Sequence, residues 1–119
     1  ENDVHLYTFR RATRQAMVEW ANFLDVMLPT ARHDRTLLFL VDMRQGGILN
    51  IAQVHATLTR TLMKFPHHPR LRTAVLCQSG RGKTLADAAL SLFAENSEHD
   101  VRLLTDDEET ALAWLQDMQ

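Results

Sequence analysis

Residues 36–43, Thr-Leu-Leu-Phe-Leu-Val-Asp-Met, form an almost unbroken apolar run. A strand with one wet face alternates polar and apolar residues, whereas a strand covered on both faces does not. This segment therefore reads as the central strand of a sheet with helices on either side. Its apolar stretch, Leu37 to Val41, is about a quarter of what a membrane span needs. Fully covered strands are typical of parallel sheets, in which each strand is joined to the next by a helical crossover. The rest of the chain should then alternate between strand-like and helix-like segments.

It does. Val4-His5-Leu6-Tyr7-Thr8-Phe9 is rich in β-branched and aromatic residues and reads as a strand. Thr13 is a suitable cap for the helix that follows, in which Ala16, Trp20, Leu24 and Met27/Leu28 recur on one face. After the central strand, Arg44-Gln45-Gly46-Gly47-Ile48 forms a loop. Asn50 is the expected cap of the next helix, with Gln53 three residues on and Leu49 placed to staple to Val54. Ile51, Val54, Leu58 and Leu62 form its apolar stripe, and Pro66 should end it. Leu71 to Cys77 reads as a third strand, Ala86, Ala89, Leu90 and Phe93 as a third helix, and Val101 to Leu104 as a fourth strand. Thr105-Asp106-Asp107-Glu108 looks like a second capping box, whose acids also suit a helix N-terminus. Ala111, Leu112, Trp114 and Leu115 continue that last helix. The predicted fold is α/β: a single domain over 1–119 of about four β/α units, with a mostly parallel sheet of four to five strands and helices packed on it. In such a sheet the first strand is a natural exposed edge, and pairing of two copies there gives a homodimer.

Charge and composition narrow the partners. Thirteen Lys+Arg against fifteen Asp+Glu leave a formal net charge of −2, unlike the strongly basic balance of most nucleic-acid binders. The charge is unevenly spread. Residues 61–84 hold five cations and no acid, whereas 85–119 hold nine acids and one cation, Arg102. A lone cysteine, Cys77, cannot form an internal disulfide and suits a reducing compartment. Glu1-Asn2-Asp3 has neither the basic nor the apolar region of a secretory leader. The expectation is a cytoplasmic protein without membrane insertion.

Few residues suggest chemistry. Cys77-Gln78-Ser79-Gly80-Arg81-Gly82-Lys83-Thr84 lies between a strand and a helix, as a phosphate-binding P-loop would. That loop needs Gly five residues before its Gly-Lys-Thr, and Cys77 stands there. What survives is a weaker expectation, that Gly80, Arg81, Gly82 and Lys83 hold an anion at a helix start. Asp42 ends the central strand, at the edge where open α/β sheets bind ligands. A phosphoacceptor aspartate of the receiver-domain type would need an acidic pair after the first strand, but Arg10 and Arg11 stand there. The simpler expectation is that Asp42 accepts hydrogen bonds from the Gly46-Gly47 turn. Six histidines are present, with no HExxH and no Cys/His cluster, so no metal site is expected. No Gly-x-Ser-x-Gly elbow presents a nucleophilic serine. Trp20 and Trp114 read as core.

The order of segments resembles a STAS-like domain, the fold of the anti-sigma-factor antagonists. The resemblance rests on Leu37-Leu38-Phe39-Leu40-Val41-Asp42-Met43-Arg44 with its glycine loop and capped helix, on Arg72-Thr73-Ala74-Val75-Leu76, and on 101–115 with its acidic cap and Ala-Leu-Ala-Trp-Leu ending. It covers most of the chain through patterns of apolar residues, and the acidic cap and final helix are similar to those of bacterial members. It implies four β/α units wound around one sheet, often with an additional N-terminal strand that is short or missing here. It also implies a regulatory role in which a Ser or Thr at the start of the helix after the central strand is phosphorylated by a partner kinase. Residues 42–50 contain no Ser, Thr or Tyr, so that switch does not carry over.

The resulting expectation is a non-enzymatic protein-interaction or regulatory module without a cofactor. Its partner would dock on Asp42, Gln45, Gly46, Gly47, Ile48, Asn50 and His55. The alternative is a domain binding a small apolar ligand or lipid, with Trp20 and Phe93 lining the pocket.

Overall fold

The computed structural model describes residues 4–11, 13–30, 34–45, 51–77 and 100–117, with 51 and 52 described by backbone alone. The elements run β1 (Val4–Thr8), α1 (Arg14–Thr30), β2 (Leu37–Asp42), α2 (Ile51–Lys64), β3 (Leu71–Leu76), β4 (Asp100–Thr105) and α3 (Glu108–Gln116). The four strands form one sheet in the order β1-β2-β3-β4, and every neighbouring pair is parallel. The expected α/β architecture is therefore present, with four strands. The segment between β3 and β4, and with it the helix expected around Ala86 to Phe93, lies outside the described residues.

A sheet that adds each strand on the same side, through right-handed crossovers, places its crossover helices on one face. Trp20, Leu24 and Leu28 of α1 and Val54, Leu58 and Leu62 of α2 share a buried cluster with Phe39, Val41, Leu71, Val75 and Leu104. The intervening strand residues point the other way, and Leu38, Leu40, Ala74 and Leu76 pack with Ala111 and Leu115 of α3. Both faces of β2 are thus covered, which is why its sequence lacks alternation. Burying each of these leucines is worth about 1.5–3 kcal/mol.

Local chemistry sets the helix boundaries. Thr13 Oγ1 accepts from Ala16 N at 3.1 Å, as expected of a cap. Near the other end of α1 stands Pro29, and the Thr30 hydroxyl closes the last turn by donating to Val26 O at 2.9 Å. Helix α2 stops at Lys64, two residues before Pro66. The caps expected at Leu49 and Asn50 lie outside the described residues.

Two expectations are corrected at α3. Its N-cap is Asp107, whose side chain accepts from Thr110 N at 3.1 Å. Thr105, expected to cap, is still in the ladder with Leu76, and its hydroxyl accepts from Asp107 N at 3.2 Å. Trp114 is half-buried at the rim of the core, because the helix turns Ala111 and Leu115 inward. The Arg72 guanidinium lies 3.9 Å from the Trp114 ring centroid, a cation–π contact. Arg72 Nη2 also donates to Trp114 O at 2.8 Å, satisfying a carbonyl near the helix C-terminus. Among the described residues no helix is long and apolar enough to cross a membrane.

Candidate functional site

The parallel register aligns Thr8, Asp42, Leu76 and Thr105 at the C-terminal edge of the sheet. Hydrogen bonds continue the ladder past the strand ends, from Phe9 N to Asp42 O at 2.8 Å, Met43 N to Leu76 O at 2.7 Å and Cys77 N to Thr105 O at 3.0 Å. The backbone just beyond the strand ends is therefore tied into the ladder.

Asp42 lies on the α3 side of the sheet. Just after it the chain turns, and Arg44 folds back over the carboxylate. Arg44 N donates to Asp42 Oδ1 at 3.0 Å, Nε to Oδ1 at 3.1 Å and Nη2 to Oδ2 at 2.9 Å. The described partner of Asp42 is thus Arg44, a residue nearer than the glycine turn expected to fill that role; Gly46 and Gly47 lie outside the described residues. Arg44 Nη2 also reaches Glu108 Oε1 at 3.2 Å, so one guanidinium ties the end of β2 to the start of α3. The hydrogen bonds from Arg44 hold the Asp42 carboxyl below its ordinary value against the opposing effect of burial. Arg44 and Glu108 keep 43% and 50% of their side-chain surface in water, and Gln45 beside them is exposed. The edge thus presents a polar surface with charges of both signs.

Of the expected docking residues, the structure places Asp42 and Gln45 on this edge. Gly46, Gly47, Ile48 and Asn50 lie outside the described residues, as do Gly80, Arg81, Gly82 and Lys83 of the expected anion loop. His55 lies apart from this edge. It is 6% exposed and its ring nitrogen Nδ1 meets Arg102 Nη1, so it faces the interior and not the exposed surface that the docking expectation assigned to it.

The interior holds a polar cluster that the sequence did not announce. Arg102 is 1% exposed. Its Nη2 and Nε donate to Asp100 Oδ2 and Oδ1 at 2.6 and 3.1 Å, and Nη1 donates to Thr59 Oγ1 at 3.2 Å. Asp100 and Arg102 are two apart on β4 and so share its inner face; that spacing was the one available signal. Beside Arg102 in register is Thr73, whose buried Oγ1 has no hydrogen-bond partner.

Cys77 follows β3 and is fully buried. Its thiol lies 3.5 Å from Thr105 O. Burial, reinforced by the negative charge of Asp106, pushes its pKa up to about 11. At neutral pH it is a protonated thiol and a poor nucleophile. Trp20, named for an apolar pocket, is completely buried. It stacks with Phe23 at 5.8 Å and meets Tyr7, Phe9 and Phe39 at ring-centroid distances of 4.9, 5.8 and 6.5 Å. Phe93 lies outside the described residues.

Fold and edge together define an open α/β protein with an all-parallel sheet and a polar C-terminal edge. Compared with protein-family models, curated proteins and solved structures, the chain matches none.

Proposed function

We propose that this chain is a non-enzymatic, regulatory protein-interaction module of STAS-like architecture that docks a protein partner on the C-terminal edge around Asp42, Arg44 and Gln45. The observation that carries this reading is the Asp42–Arg44–Glu108 bridge. It fixes the Asp42 carboxylate in a bidentate ion pair and leaves the outer side of the arginine in water. A carboxylate held this way serves as part of a rigid recognition surface more readily than as a base or a phosphoacceptor. Four strands added in sequence order also suit the wound β/α units of that architecture. The module acts in the cytoplasm, and copies pair through the β1 edge. The alternative of an apolar ligand beside Trp20 has less in its favour, because aromatic rings occupy that space.

The test is site-specific photo-crosslinking in cells, with the reactive group at Gln45 or, at the other end of α2, at exposed His67. A discrete protein adduct from position 45 that is absent from 67 and lost in Arg44→Glu supports the docking edge. Equal labelling from both positions, or none from 45, refutes it.

A further inference from the structure

We propose that the depression between α1 and α2 binds a small phosphate-bearing molecule. It has a volume of about 580 Å³ and is lined by Thr13, Arg14 and Met17 on one side and Gln53, Ala56, Thr57 and Arg60 on the other. Arginines thus flank it from both helices, and among the described residues no carboxylate lines it. Among the described residues neither Arg14 nor Arg60 takes part in an ion pair. Arg60 Nη2 lies 3.4 Å from the hydroxyl of buried Thr57, which positions the guanidinium on its helix.

The surroundings reinforce the positive charge. Each helix follows a strand of one parallel sheet, so α1 and α2 both begin near the C-terminal edge. Neither has an acid in its first turn to offset the helix dipole. A second depression, about 450 Å³, adjoins the first at Thr13 and adds Arg10 and Arg11. Glu19 lines that second space and accepts from Gln15 at 3.4 Å, so the anion is assigned to the first depression, where no described residue is acidic. Arginine forks supplied by two helices suit the several oxygens of a phosphate group. The space exceeds one phosphate and leaves room for the molecule that carries it.

Pyrophosphate is the probe, titrated into the isotopically labelled chain and followed by amide chemical shifts. Saturable shifts at residues 13–17 and 53–60 are expected. Arg14→Gln and Arg60→Gln should each weaken binding about tenfold. Arg35→Gln, at the opposite end of the sheet, should leave it unchanged. The absence of saturable shifts to millimolar concentration, or equal affinity in the Arg14→Gln/Arg60→Gln double variant, overturns the proposal. Either result leaves the docking edge untouched, since Asp42, Arg44 and Gln45 do not line the depression.

Discussion

Among the described residues Arg102 is one of the largest fully buried side chains, second in volume to Trp20. A buried guanidinium persists because Asp100 and its other hydrogen-bond partners replace water. Replacing it by Met strands the Asp100 charge, and Arg102→Met should cost about 3–5 kcal/mol. The double variant Asp100→Asn/Arg102→Met removes both charges and should recover most of that loss. Urea unfolding of the three proteins checks this, and a single variant losing less than about 1 kcal/mol would mean that the ion pair is not structural. None of this was legible residue by residue. An Arg two places from an Asp on a strand looks like a solvated pair, and His55 looks like one more polar residue on a helix. Their burial depends on the element packed opposite, which no local pattern states. Trp20 was legible, because its apolar neighbours recur at helical spacing.

At the scale of elements, α3 shows how a readable signal can be displaced. Polar caps and acids before an apolar helix were evident, but the cap fell on Asp107 because β4 pairing still holds Thr105. The start of α3 is then anchored by carboxylates. Asp42, through its bonds from Arg44, and Asp107, through its bonds from Thr110, are both held below their ordinary value of 3.8. A carboxyl with a lowered folded pKa stabilises the fold above its unfolded value, and that contribution is lost as pH falls through the folded value. The share of stability these two carboxyls supply, read from unfolding midpoints, should therefore be constant from neutral pH down to about 5 and be lost progressively below it. Asp42→Asn should be less stable at neutral pH and show a shallower acid limb. A limb of unchanged slope in Asp42→Asn would show that the bridge to Arg44 contributes nothing to stability.

At the scale of the whole molecule, one-directional winding leaves β1 at an edge, and α3 lies over β3 with β2 and β4 at its flanks. β1 is two strand spacings from β3, roughly 10 Å, so α3 does not cover Leu6, which is 62% exposed on that face. An open edge with an exposed leucine suits pairing of two copies about a two-fold axis. Sedimentation should show a concentration-dependent dimer, and Leu6→Lys should shift it to monomer; a monomer at every concentration would rule the pairing out. What the amino-acid order determined was the kind of fold: apolar runs without alternation require a sheet covered on both faces, and the helical spacing between them supplies the cover. Those signals are local and periodic, so they survive without knowledge of the neighbours. What only the tertiary structure decided was which polar groups meet. The reach of Arg44 to Glu108, the burial of His55 against Arg102, and the arginines that α1 and α2 bring to one depression join residues whose separation in the chain says nothing about their distance. Strand order and helix placement bring them together, and electrostatics acts through that distance.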